Sequence, residues 1–498
     1  MRDDSVNLAS ALARQARERP DAPAILRGGA SLGFRELDRH VWAAATWLAR
    51  QGIRPADRVG LSLDGELAHL IAIYALARLG ASALALPLSE PPPVRRRLAR
   101  EGRCECVLTD RARALADCGP PVLGFDARAV CAPGAPIDPG VEVARPTAPW
   151  LLMMGSGTTG RSKRMAIGHG QWLARLAAQR ALLPIGPGDR VVGLSPLSFA
   201  TTKHRYLEAH ACGAAVVLFD RAREPLRDVC RRLGVTVVHA SPVHAEALLA
   251  DAPRAPRPML AGVKVLRVGN TTVTERLRAR IRATLTPNLY VAYSTNEAGP
   301  LTVAPPADGL ALPGTVGRPA APVEIEVVDD DGRPCPAGRV GRVRVRGPGV
   351  IDGYEDDPTA SARAFADGAF LPGDLAEWAP DGQLVHHGRA DDLMIFQGVN
   401  IEPGEIETAM REHPAVGDVA AFPVDSDVLR HVPACAVTLR EGAAADEATL
   451  ARYAQSQLGS HAPHAVLILP SLPRTANGKL RRADLAGLAR ARLNGPTP

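Results

Sequence analysis

Apolar residues arrive along the chain in short continuous runs, separated by segments long enough for a helix. The runs are Arg58–Leu63, Ala83–Leu86, Cys106–Leu108, Trp150–Met154, Arg190–Leu194, Ala214–Leu218 and Val235–Val238. Helical periodicity fills intervening stretches such as Gln171–Leu182 and Glu224–Leu233. Continuous apolar runs alternating with helices predict mostly parallel sheets covered on both faces. The longest apolar stretch, Leu67 to Leu88, is interrupted by Arg78 and Gly80, so it reads as a buried helix over 66–79 and a buried strand over 82–87, not a membrane span. From Val323 the pattern changes to period two, in Val323–Val328 and Gly341–Arg346, with the turn-forming Asp329-Asp-Asp-Gly332 between them. That predicts an antiparallel hairpin region. After Arg389 comes a third texture: helix Pro403–Glu412, strands Val416–Pro423 and Cys435–Leu439, helix Asp446–Leu458 and a basic end. The acids Glu405 and Glu407 read as part of a helix face.

Composition narrows the function. With 498 residues, 46% hydrophobic and 22% charged, the chain is a globular protein of several folding units, neither fibrous nor disordered. The net charge of +6 is spread over scattered Arg and implies no nucleic-acid partner. The eight Cys have neither a disulfide rhythm nor zinc spacing, and Cys104-Glu-Cys106 reads as a pair of buried thiols. The stretch from Leu8 to Arg17 is amphipathic and lacks the apolar core of a signal peptide. A soluble cytoplasmic protein is expected.

Chemistry concentrates first in Gly155-Ser-Gly-Thr-Thr-Gly160-Arg-Ser-Lys163, directly after the run Trp150–Met154. Glycines let backbone amides approach phosphate oxygens, hydroxyls add donors, and Lys163 adds a point charge. The spacing fits G-x-G-x-x-G, but a second strand-like run, Met165–Ile167, follows where a dinucleotide site needs a helix. Nor is it a P-loop, because Arg161 and Ser162 separate the last glycine from the lysine.

The loop resembles the signature of the adenylate-forming superfamily, which includes acyl-CoA synthetases, peptide-synthetase adenylation domains and firefly-type luciferases. Here Ser162 and Arg164 replace the family's Pro and final Gly. Further motifs follow in family order. Tyr293-Ser-Thr-Asn-Glu297 is similar to Tyr-Gly-x-Thr-Glu, with Ser294 and Asn296 departing from it. Gly314-Thr-Val-Gly-Arg-Pro319, Gly373-Asp374, Gly388-Arg-Ala-Asp-Asp392 and Pro473-Arg-Thr-Ala-Asn-Gly-Lys479 complete the set.

The resemblance implies an α/β fold with a large N-terminal domain of several subdomains over 1–389. Mostly parallel sheets and an antiparallel barrel-like part would build it, followed by a small mobile α+β domain over 390–498. It implies that ATP and Mg²⁺ turn a carboxylic acid into an acyl-adenylate, which a thiol then attacks. That thiol belongs to CoA or to the phosphopantetheine of a carrier protein acting in trans; a nucleotide-binding homologue without catalysis is the reading of another class. Ser156, Gly157, Thr158, Thr159, Gly160 and Lys163 would hold the phosphates, and Tyr293, Asp374 and Arg389 the nucleoside. Glu297 would carry Mg²⁺, Asn296 would meet the α-phosphate, Lys479 would bridge carboxylate and α-phosphate, and Asp391 would be the hinge. Phe199, Thr201, His204, Gly269 and Ala292 would border the acyl pocket. Relatives that select α-amino acids carry an Asp just after a Phe like Phe199; Ala200 stands there, which disfavours such substrates. The cluster Lys203-His204-Arg205 reads as a solvated helix face, with reception of a second substrate carboxylate as the alternative.

Overall fold

The computed structural model describes residues 7–111, 119–142, 147–155, 163–252, 258–270, 273, 275–329, 331–389, 394–396, 399–401, 403–426, 430–473 and 482–493. A large N-terminal region built on two sheets is followed by a small C-terminal α+β domain. In the first sheet the strands run in the order Val122–Gly124, Cys106–Thr109, Arg58–Ser62, Ser82–Ala85, Pro149–Gly155 and Lys163–Gly168. All pairs are parallel except the last, where the strand entering the glycine-rich loop returns on itself.

The helix Glu66–Leu79 ends where the sequence predicts, at Gly80 in the left-handed conformation with φ of 70°. Gly pays no Cβ penalty in that C-cap role. The helix is buried from His69 to Leu79, including Arg78, which would be costly without partners. Asp38 pairs with the guanidinium, Glu142 accepts from it at 3.1 Å, and its planar group sits 3.9 Å above the Trp42 ring.

The second sheet contains a parallel block of Pro23–Arg27, Ala215–Leu218, Arg190–Gly193, Val237–Ala240, Val265–Gly269 and Leu289–Thr295. It continues antiparallel through Gly299–Ala304, Thr315–Pro319, Leu384–Arg389, Asp374–Trp378 and Gly341–Arg346. The expected hairpin is present, with Glu324 opposite Arg346. The strand expected over Val235–Val238 lies two residues later, because Val235 is taken by the turn after the helix Leu226–Leu233, its N–H bonding Cys230 O. In the small domain Val416–Ser426 pairs antiparallel with Arg430–Leu439, which pairs parallel with Ala465–Ile468. Helices Pro403–Arg411, Glu447–Leu458 and Arg482–Leu493 accompany them.

One expectation needs correction. The helix Ala200–Ala211 is no solvated face: Thr202 through Ala211 are all buried, Lys203, His204 and Arg205 among them. The 189–194 and 215–218 segments and the helix Leu8–Glu18 close around it. Glu407 is likewise buried, accepting the Ala421 N–H at 3.0 Å and Arg482 at 2.9 Å, so it ties three elements together. Its neighbour Glu405 meets His461 at 2.7 Å and, across the domain boundary, Arg97 at 3.8 Å.

The described cysteines are unpaired, and burial pushes the Cys104 and Cys106 thiols up to about 12. Among the described residues no helix is long and apolar enough to cross a membrane.

Candidate active site

The strand Leu289–Thr295 delivers most of the polar machinery, because an irregularity in its pairing with Gly299–Ala304 falls between Tyr293 and Ser294. Such a bulge re-aims side chains. Beyond the strand Asn296 and Glu297 occupy the turn into Gly299, whose φ is +79°. A Cβ at Gly299 would come within 2.7 Å of the Arg175 side chain, so a glycine is required there. Arg175, fully buried, donates to the Glu297 carbonyl at 2.7 Å and to the Gly349 carbonyl at 2.8 Å. Burial lowers its pKa to about 10, with the Glu297 charge opposing that shift. The Glu297 backbone is thereby anchored, and Tyr354 OH donates to its Oε1 at 2.9 Å. Lys163, first residue of its strand, places Nζ 5.2 Å from the centre of the same Tyr354 ring. One carboxylate and one ammonium thus flank a single tyrosine.

The second polar group lies at Asp374, buried at the start of Asp374–Trp378 and opposite Arg389 in the register. Its Oδ2 accepts from Tyr293 OH at 2.5 Å, and His386 Nε2 stands 3.8 Å from Oδ1. The Tyr293 and His386 rings are 5.1 Å apart.

Lys163, Tyr293, Asn296, Glu297 and Asp374 line a single cleft of about 1260 Å³, together with Phe199, Thr201, His204 and Ala292. Phe199 caps the start of Ala200–Ala211 and is 36% exposed. Thr201 Oγ1 bonds Asn270 Oδ1 at 3.2 Å, and the His204 ring lies 5.8 Å from Trp150. Gly269 stands one layer back, paired with Ala292; a Cβ there would meet the Ala292 carbonyl oxygen at 2.6 Å. The walls beside it come from Arg267 and Asn270. Small-domain residues, Glu405 and His461 among them, close the other side.

Ser156–Gly160, Lys479 and Asp391 lie outside the described residues, as does the side chain of Arg389. Sequence reasoning passed over Tyr354, His386, Arg175 and Asn270. Asn270 carries a signal in its backbone, a non-glycine residue at φ 79°, where Asn is enriched. Arg164, standing where relatives have glycine, pairs with Glu355 and Asp356 and so pins the loop's exit strand to the Tyr354 segment.

The donor set at Glu297 suits Mg²⁺. Among the described residues only one of its carboxylate oxygens has a protein partner, and no group of three or more His, Cys, Asp or Glu side chains could form a closed cage. Magnesium is usually held by one or two carboxylates plus phosphate oxygens and water.

The AMP-binding enzyme family description matches residues 12–355, and that of the AMP-binding enzyme C-terminal domain matches 405–479. The chain is 30% identical to the phosphinothricin tripeptide synthetase PhsC of Streptomyces viridochromogenes over 94% of its own length and 44% of that protein. It spans less than half the length of the peptide-synthetase relatives it matches. It is 27% identical to a 3-hydroxybenzoate–CoA ligase of an Aromatoleum species, covering 95% of this chain and 94% of that one. Among solved structures, the amide bond synthetase McbA of Marinactinospora thermotolerans superposes with a TM-score of 0.88 at 25% identity, over 97% of this chain and 99% of that one. Sheets, cleft and ordered motifs agree with these matches: the chain belongs to the AMP-binding enzyme family of adenylate-forming proteins.

Proposed function

We propose that the protein activates a carboxylic acid with ATP, releasing pyrophosphate and forming an acyl-adenylate, and then transfers the acyl group to a thiol, that of CoA. The observation that carries this reading is the division of one cleft into two polar stations and an acyl compartment. Tyr293, Asp374 and His386 make one station, Lys163, Glu297 and Tyr354 the other, with Thr201, His204 and Ala292 beyond.

A carboxylate is a poor acyl donor because its leaving group would be oxide; adenylation replaces that group with AMP. Attack on the α-phosphorus builds charge on phosphoryl oxygens, so positioning and cations carry the catalysis. Asp374, already oriented by Tyr293, accepts the ribose hydroxyls, with Arg389 opposite. Lys163 and the loop Ser156–Gly160 hold the β- and γ-phosphates. Glu297 would hold Mg²⁺, which would neutralise developing phosphoryl charge. Asn296 donates its amide to the α-phosphate in place of the usual Thr hydroxyl, and Lys479 bridges the substrate carboxylate and the α-phosphate. The small domain, beginning near residue 390, turns about Asp391 between the half-reactions. Ala200 leaves an α-ammonium group without a partner, so simple carboxylic acids outperform matching α-amino acids. The reduced thiols fit a cytoplasmic location.

The second reading replaces CoA with a carrier-protein phosphopantetheine, and the similarity to a peptide synthetase favours keeping it. Acid-dependent ATP–pyrophosphate exchange over a library of carboxylic acids tests adenylation, and offering CoA or a phosphopantetheinylated carrier to the active acid separates the acceptors. Absence of exchange with every acid, in a protein that binds ATP, would refute the proposal.

A further inference from the structure

The acyl compartment contains a charge that nothing among the described residues answers. Lys203 is 2% exposed and lines the cleft, yet its Nζ has no hydrogen-bond or ion-pair partner among the described residues. An isolated buried ammonium is costly and is normally paired. Burial alone accounts for the lowering of its pKa to about 8; no carboxylate lies near enough to raise it. The cations around it do not balance either. Arg205 spends itself on Glu208 at 3.1 Å and on Gln179, while Arg267, also lining the cleft, reaches only Asn270 Oδ1 at 3.5 Å and leaves Nε unpartnered. The ring nitrogen Nε2 of His204 is unpartnered as well. Arg205 and Arg267 share one carboxylate, Glu208, whose own pKa is raised by burial to about 7 even with both arginines opposing the shift. One turn before Lys203 on the same helix face stands Ala200, small and neutral.

From the Lys203 ammonium at the wall of the cleft, without a partner among the described residues, and from Arg267, which lines the same cleft, we infer that the substrate is a dicarboxylic acid whose second carboxylate pairs with Lys203. The inference rests on the adenylation reading and names its substrate class. The second carboxylate supplies the missing counter-charge, and the desolvation cost of the ammonium is already present before the ligand arrives. The affinity gained is consequently specific to acids that carry the second anion. A monocarboxylic acid of the same frame leaves Lys203 unpaired, which is selection by an unsatisfied buried group.

The test is pyrophosphate exchange with matched pairs: benzoate against benzene-1,3- and benzene-1,4-dicarboxylate, and hexanoate against hexanedioate. Wild-type protein is expected to favour the dicarboxylic member of at least one pair by about tenfold or more in kcat/KM. Lys203→Met and Lys203→Gln should each collapse that ratio, chiefly through KM. Lys203→Glu should shift preference to the counterpart bearing an amine, 3- or 4-(aminomethyl)benzoate or 6-aminohexanoate. The preferred dicarboxylate should also raise the melting temperature of wild-type protein and not that of Lys203→Met, a readout independent of turnover. Preference for the monocarboxylic member in every pair, or a ratio unchanged in both neutral variants, would overturn the inference while leaving adenylation standing. Exchange with no acid of either kind would instead refute the adenylation reading beneath it.

Discussion

The two ends of the cleft handle charge in opposite ways. At the nucleotide end the polar side chains hold one another: Tyr293 donates to Asp374, Tyr354 donates to Glu297, and Arg175 fixes the Glu297 backbone. At the acyl end, among the described residues, Lys203 has no partner and Arg267 reaches only Asn270 at 3.5 Å. The contrast teaches that the first end is preorganised for a ligand it meets every cycle, whereas the second is incomplete until the right acid supplies an anion. Preorganised donors and acceptors avoid reorganisation during reaction; an unpaired buried ion instead discriminates between ligands.

The largest effect expected at the nucleotide end comes from Lys479. Removing one charge-assisted donor from a phosphoryl-transfer site costs about 10²–10³ in rate, so Lys479→Ala should lose pyrophosphate exchange yet still convert supplied acyl-adenylate to thioester. Normal exchange in that variant would remove Lys479 from the mechanism. One layer behind the cleft wall lies Gly269, where a Cβ would press 2.6 Å from the Ala292 carbonyl oxygen. Gly269→Ala should destabilise the fold by about 1–3 kcal/mol and raise the KM for acid more than that for ATP, as denaturant melts and exchange kinetics would record.

The acyl end was the harder half to read from sequence. Tyr293, Glu297 and Asp374 sit in compact motifs, so their gathering at one cleft was legible, and the helix Glu66–Leu79 was legible from its apolar run and terminal glycine. Ala200–Ala211 was not. Its sequence is as polar as a surface helix, and its burial depends on partners far away in the chain, such as Gln179 for Arg205, and Tyr74 for His210 at 3.1 Å. Tyr354 and Asn270 were missed for the same reason: their roles arise where distant strands converge, not from spacing.

Titration sharpens the comparison further. Lys203 carries a pKa near 8 against an ordinary value of 10.5, so folding works against its proton. The titratable groups that feel its charge are His204 on its own helix and His69 on Glu66–Leu79, both held neutral by burial. Because the depressed pKa disfavours the charged form, the cost is full below pH 8 and disappears as pH rises from about 8 towards 10.5. Lys203→Met should therefore be more stable than wild type at neutral pH, with the gap in melting temperature narrowing across that window. The preference for dicarboxylic acids should fade above pH 8 as the ammonium loses its proton. A gap that stays constant from pH 7 to 10 would show that folding does not lower the pKa of Lys203. The smallest effect belongs to Tyr354→Phe, which removes one hydrogen bond from Glu297. A loss of about 1–2 kcal/mol should appear as a several-fold fall in kcat and a raised Mg²⁺ requirement, and no change in either would separate Tyr354 from the metal station.

The independence of the two ends is tested most directly by measuring KM for ATP and KM for the acid in one exchange assay, with Asp374→Asn and Lys203→Met side by side. Asp374→Asn should raise the KM for ATP by about tenfold and leave the choice between mono- and dicarboxylic acid intact. Lys203→Met should abolish that choice and leave the KM for ATP within twofold of wild type. If each variant instead moves both constants together, the cleft works as one coupled site and the division drawn between its ends is wrong.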